Sequence, residues 1–241
     1  MSAGMALAVT LAVLAGAAAQ SATGVGFGVL AAPALLLAAP AAGPFPVLAA
    51  GAAVLAVTLA ENRAGLRRRV VATVVLAALP GAVLGTALRQ AADMRVLQAG
   101  VGGLVVISGA LTLGAVRIPA SRPALAVAGL LGGALNSVAS MPGPPLAMVY
   151  RPADAEQFRA NLSAAFLGMT AVSLVTTVLA HVPSPADLAL TLAVTVTALA
   201  GQLAGRRWAR RLPVRTVRTA AVLLSVLAGA VLVATSAGVH R

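Results

Sequence analysis

The stretch TGVGFGVLAAPALL, residues 23–36, places Gly24, Gly26 and Gly28 within five positions and then reaches Pro33. It lies inside an apolar run that extends from residue 4 to residue 39. As one helix that run would be about 54 Å long at 1.5 Å per residue, against a hydrocarbon core of about 30 Å. Glycine weakens a helix, and proline removes one of its donors. The stretch therefore either kinks an overlong crossing or turns the chain back, and the two readings give different topologies.

Of the 241 residues 60% are hydrophobic and 9% are charged, and the mean hydropathy is +1.00. A soluble domain would carry about a quarter charged residues. The apolar segments are 4–39, 44–60, 70–88, 96–114, 123–149, 160–180, 187–204 and 217–237. Several of them reach the roughly 20 residues that a bilayer crossing needs. The fold class is all-α and polytopic, because a membrane barrel would show short alternating segments. The first 22 residues, MSAGMALAVTLAVLAGAAAQSA, have the apolar core of a cleavable signal but no basic leader, and are kept as structure. Cysteine is absent, which excludes disulfides and thiolate metal sites.

The formal charge of +12 comes from 17 basic residues, all arginine, against five acids. It does not indicate nucleic acid: the arginines sit in short loops between apolar runs, where topology signals belong. Aromatic residues make up 2% of the chain, too few for base-stacking platforms.

If each segment crossed once, the loop with Arg63, Arg67, Arg68 and Arg69 would lie opposite the loop with Arg206, Arg207, Arg210, Arg211, Arg215 and Arg218. That division of the arginines is ten to seven, against the positive-inside tendency. Segments 4–39 and 123–149 resolve the conflict if both are re-entrant hairpins, each entering and leaving on one side. In the second, NSVASMPGPP sets Pro142, Pro144 and Pro145 around Gly143, and prolines so close together end a helix. Arg117, Arg122, Arg151 and Arg159 then join both basic loops on the cytoplasmic side, and only Arg89, Arg95 and Arg241 remain outside. Both termini are expected to be extracytoplasmic.

Each half then holds one hairpin and three crossings, so the halves have opposite orientation. The first repeat is 1–117, with hairpin 4–39 and helices 44–60, 70–88 and 96–114. The second is 118–241, with hairpin 123–149 and helices 160–180, 187–204 and 217–237. Inverted repeats with broken helices that meet at the midplane are a transporter architecture.

Backbone freed from a helix in lipid must be buried in protein or line a wet cavity. Helices that resume near Gly28 and near Pro142–Pro145 would aim free N–H groups and a partial positive charge at a shared anion. The expected substrate-binding residues are Thr23, Gly24, Gly26 and Gly28 in the first tip, and Asn136, Ser137, Ser140, Gly143 and Pro144 in the second. Gln20 and Ser21 stand beside the first set. Small residues also serve close helix packing, and hydroxyls in membrane helices also bond back to their own backbone.

At these residues the sequence resembles the sulfite exporter TauE/SafE family of membrane permeases. The likeness rests on GVGFGVLAAPALL in the first half, on GGALNSVASMPGPPLAMVY in the second, and on the arginine-bearing helix start EQFRANLSAAF. It follows the segment order of nearly the whole chain. This sequence has fewer consecutive glycines in the first motif, and one extra proline in the second, than the family's commoner pattern. The resemblance implies transport of sulfite, organosulfonates, sulfoacetate or similar anions across the bacterial inner (plasma) membrane.

Arg63 and Arg159 are candidates for a cytoplasmic vestibule, with headgroup anchoring as the alternative for Arg159. Glu61 is expected to cap a helix or pair with an arginine, Asp154 and Glu156 to be solvated, and Gln98 and Gln202 to bond between helices. His181 reads as interfacial. Enzyme and metal motifs are absent: there is no HExxH, no GxSxG and no glycine-rich loop ending in Lys-Ser/Thr. The function expected is a secondary transporter without cofactor or metal, carrying a small anion, by export, through alternating access around the hairpin tips. An anion channel and a non-transporting membrane subunit or assembly factor are the alternatives. Membrane lipids are the other partner, nucleic acid is not one, and a homo-oligomer is left open.

Overall fold

The computed structural model describes residues 3–93, 118–150 and 154–209, with scattered helical positions in 96–107 and 219–234. The expected helices 96–114 and 217–237 otherwise lie outside the described residues. Every described regular element is helical: α1 Ala3–Thr23, α2 Phe27–Ala38, α3 Phe45–Asn62, α4 Arg68–Ala91, α5 Arg122–Ala139, α6 Gly143–Val149, α7 Ala155–Ala180 and α8 Pro185–Ala209. Five of them, α1, α3, α4, α7 and α8, are long and apolar enough to cross a membrane.

The helices follow from strings of alanine and leucine, the residues that lose least on entering a helix. Their ends have local causes. The Asp154 carboxylate accepts the N–H groups of Glu156 and Gln157 and starts α7. The Ser121 hydroxyl accepts the Ala124 N–H and starts α5. Pro33 and Pro80 sit inside α2 and α4 without ending them, as neighbouring helices allow in membrane bundles.

Small residues set how closely the helices pack. A methyl at Gly129 or Gly133 of α5 would run into the carbonyl oxygens of Val74 and Ala78 of α4; one at Gly81 or Gly85 would meet those of Leu130 and Ala134. Across α1 and α8, a methyl on Gly201 would lie 2.5 Å from the Leu14 oxygen, and one on Gly205 2.6 Å from that of Ala18. Without a hydrophobic driving force between helices in lipid, such backbone approach is what holds them. In both pairs residue numbers rise together, so α4 runs parallel to α5 and α1 parallel to α8.

Polar contacts fix the remaining directions. Gln202 donates to the Thr58 hydroxyl at 2.8 Å, and Glu61 pairs with Arg206, so α3 runs parallel to α8. The Thr86 hydroxyl donates to Thr176 at 2.9 Å, and the Asn161 side chain accepts the Arg67 N–H at 2.7 Å, so α4 runs parallel to α7. Arg159 donates to Asn62 at 3.1 Å. The loops at 61–69 and 206–207 and the start of α7 therefore share one end of the bundle, the basic face. Eight single crossings would have put the two loops on opposite faces. Glu61 pairs with an arginine, Gln202 bonds between helices, and Asp154 and Glu156 are exposed, as the sequence suggests; Asp154 also caps α7.

In each of the two long apolar segments the chain reverses. Gly24 and Gly26 take φ values of 78° and 138°, a region that only glycine enters at no cost. Gln20 holds the turn, donating from its amide to the Gly24 oxygen at 2.7 Å and accepting the Phe27 N–H at 3.3 Å. Beyond the turn α2 runs back along α1, Gly26 against Ala19 and then Phe27 and Leu30 against Gly16. The second reversal is at Ser140–Pro142, and Pro142 returns to the level of Gly132 on α5. The arms are unequal: α1 has 21 residues and α2 has 12, α5 has 18 and α6 has seven. A break at Gly24 leaves most of the first run on one arm, so α1 alone has the length of a crossing.

Large apolar side chains such as Leu7, Leu11, Leu76, Leu179, Leu192 and Leu203 face outward, while Gln20, Asn136, Asn161 and Gln202 are buried. An apolar exterior of this kind suits lipid and not water. Asn161 is occupied at the basic face, where its amide donates to the Gly65 and Gln157 oxygens.

Candidate functional site

The two reversals meet. A methyl added to Gly28, in the first turn of α2, would fall inside the carbonyl oxygen of Ser140, and one added to Gly143 would lie 3.0 Å from the Val25 side chain. Between them is a cavity of ≈ 40 Å³. Roughly 10–15 Å³ suffices for one water, so a few waters or one small anion would fit. The first tip contributes Gln20 and Val25–Val29, the second Asn136 and Ser140–Gly143. The walls are α3, through Val47, Leu48, Gly51 and Leu55, and α7, through Phe166 and Thr170. No lining side chain among the described residues is charged.

Of the candidates read from the sequence, Gly26, Gly28, Asn136, Ser140 and Gly143 line this cavity. Gly24 stands off it, packed on the Cα of Arg159. Ser137 also points elsewhere, donating to Ser173 of α7 at 2.9 Å. Thr23 ends α1 and Pro144 lies in the first turn of α6; their side chains are outside the described set. Arg63 is exposed on the basic face, and Arg159 is half-buried there against Asn62.

The donors are unequally distributed. At the start of α2, Phe27 gives its N–H to Gln20, and the N–H groups of Gly28 and Val29 have no carbonyl of their own helix to bond. The start of α6 offers less than its position suggests, because Pro142, Pro144 and Pro145 have no N–H and Gly143 is its one first-turn donor. Asn136 spends its amide hydrogens on Thr170 at 3.3 Å and Ser173 at 3.1 Å, tying α5 to α7. Ser140 is different. Only 4% of it is exposed, its hydroxyl has no partner, and its φ is 54°. A serine held in that strained region with an unmet hydroxyl on a cavity is the strongest polar feature of the site.

Toward the basic face, beyond the end of α6, the Tyr150 hydroxyl is also buried without a partner. Burial pushes it above its ordinary range, with Arg67 pulling it down and Asp154 adding to the rise. It stays neutral at physiological pH, so it adds no charge beside the cavity.

An uncharged, donor-lined cavity between two meeting helix breaks, inside a bundle with an apolar exterior, is suited to holding a small anion within a membrane. Residues 8–232 match the family described as sulfite exporter TauE/SafE. The chain belongs to that family. It is thereby a multi-pass membrane transporter of the sulfite and sulfonate type, from a family of transporters and not of enzymes. Comparison with curated proteins and with solved structures gives no match.

The site residues that sequence reading missed are the wall, Val47, Leu48, Gly51, Leu55, Phe166 and Thr170, and the structural part played by Gln20. Thr170 and Gly51 carried a faint signal, as a hydroxyl and a glycine in the middle of apolar helices.

Proposed function

We propose that this TauE/SafE member is a secondary transporter that exports a small oxyanion, of the sulfite or organosulfonate class, by alternating access around two re-entrant tips. The observation that carries the reading is the contact of Gly28 with Ser140 around a cavity with unmet donors and no charged lining. A neutral site at a helix start can hold an anion through N–H groups and the helix dipole, and a transported ion must also leave, which a buried arginine would hinder.

Inverted repeats 1–117 and 118–241 are part of the proposal. They are supported by how the helices pair: exchanging α1 with α5, α3 with α7 and α4 with α8 turns the α1–α8 contact into α5–α4 and the α3–α8 contact into α7–α4. Two halves related in this way supply two packings of similar energy, which alternating access needs. The basic face is assigned to the cytoplasm by its arginines. With the inside near −100 mV, expelling one negative charge gains about 2.3 kcal/mol, so export needs no nucleotide.

Flux by the purified protein in liposomes tests the transport reading. Saturable, temperature-sensitive exchange of sulfite, thiosulfate, sulfoacetate or a simple carboxylate is expected. Conductance without saturation would make the protein a channel, and absence of flux for the whole panel would make it a non-transporting subunit. The orientation has its own check: a reporter fused after Arg241 is expected to read extracytoplasmic, and a cytoplasmic reading would overturn the hairpin topology.

A further inference from the structure

At the end of the bundle opposite the basic loops is a second cavity, of ≈ 170 Å³, lined by Gly43, Phe45, Arg89, Thr177, His181 and Asp187 among others. It shares no residue with the central cavity. On α3, Phe45 lines the outer cavity while Val47 and Leu48 line the central one; on α7, Thr177 and Thr170 divide in the same way. On α7 the two threonines are two turns of helix apart, about 11 Å, so the outer cavity lies beyond the central one, toward the face opposite the basic loops.

The outer cavity holds two donors with nothing to bond. Among the described residues Arg89 is in no ion pair; it is half-buried, and its Nε is buried without a hydrogen-bond partner. The Thr177 hydroxyl is likewise unmet, with 4% of the residue exposed. A buried N–H and a buried hydroxyl are both costly when unmet, and a guanidinium matches the oxygens of a planar or pyramidal oxyanion. The acid of the cavity, Asp187, is engaged elsewhere: its carboxylate accepts the Ser184 N–H at 2.9 Å and the Ser184 hydroxyl at 2.8 Å, outside ion-pair distance of Arg89. His181 is the remaining titratable group. The start of α3, an 18-residue helix, adds its positive end. Gly43 leaves room for the guanidinium, since a methyl there would stand 3.0 Å from Arg89 Nη1.

We propose that this cavity is a second anion site, which takes a small oxyanion between the central cavity and the medium on that face. It rests on the transport reading for its purpose, and on Arg89 and Thr177 for its chemistry. Isothermal titration of the purified protein with sodium sulfite at constant ionic strength tests it. Two binding steps are expected. Arg89→Gln, and separately the near-isosteric Thr177→Val, weaken one step by about tenfold, as loss of a charge-assisted hydrogen bond does, and leave unchanged the step that Ser140→Ala weakens. A single step in the wild-type protein, or two steps that neither substitution alters, overturns the proposal. Liposome flux on the same preparations separates it from the transport reading. Arg89-dependent binding without flux keeps the site and removes the transporter; flux with binding indifferent to Arg89 does the reverse.

Discussion

Gly28→Ala is expected to abolish transport, with flux in liposomes down by about 100-fold or more, while the protein still inserts and elutes as a single species. One methyl has so large an effect because of what it meets. Its neighbour would be the carbonyl oxygen of Ser140, a backbone atom fixed by the end of α5, so no side chain can turn aside. The two tips must separate by about an ångström to restore an ordinary contact, and a displacement of that size at a binding site can cost about 10²-fold. Overpacking costs about 1–3 kcal/mol, which a bundle tied by α1–α8 and α4–α5 can absorb, so folding and function part company.

Other glycines grade the effect. At Gly143 the added methyl would meet the end of the Val25 side chain at 3.0 Å, which can give by a few tenths of an ångström, so Gly143→Ala is expected to slow flux only several-fold. Gly4 has nothing within 4 Å of an added methyl, and Gly4→Ala serves as the unaffected control. Equal flux from all three variants would mean that the tips do not form the site.

The helices were legible because each is an apolar run of nearly membrane length, and α3, α4, α7 and α8 lie within a few residues of where hydropathy places them. The reversals were legible for a different reason, the positions of the arginines. Arg63–Arg69 and Arg206 had to share a face, and in the structure they do, through Glu61 and the bonds of Arg67 and Arg159 to Asn161 and Asn62. The division of each arm was not legible. It depends on Gln20 bridging Gly24 and Phe27 and on Ser140 taking a positive φ, neither of which leaves a pattern in composition. The cavity wall was hidden too. In so alanine- and leucine-rich a chain, Leu48 and Leu55 of the wall look like the lipid-facing Leu76 and Leu192, and only the register of α3 against both tips tells them apart.

Ser140 and Ser137, three residues apart at the end of α5, are expected to respond to alanine in opposite ways. The Ser140 hydroxyl is buried with no partner, and an unsatisfied buried group costs about 1–3 kcal/mol. Ser140→Ala removes that cost without adding one, because serine and alanine suffer alike at a φ of 54°, so its Tm is expected to hold or rise. The same substitution takes from an anion a charge-assisted hydrogen bond of about 1.5–3 kcal/mol, so sulfite Kd is expected to rise by about tenfold or more. Ser137 is fully buried and spends its hydroxyl on Ser173. Ser137→Ala is therefore expected to lower stability by about 1 kcal/mol and to leave sulfite Kd within about twofold, since a packing bond away from the cavity has no anion to lose. Thermal unfolding and sulfite titration of the two purified variants read this crossed pattern. If Ser140→Ala loses stability and binds sulfite as tightly as the wild-type protein, its hydroxyl is a packing group, and anion recognition rests on the backbone amides of Gly28, Val29 and Gly143.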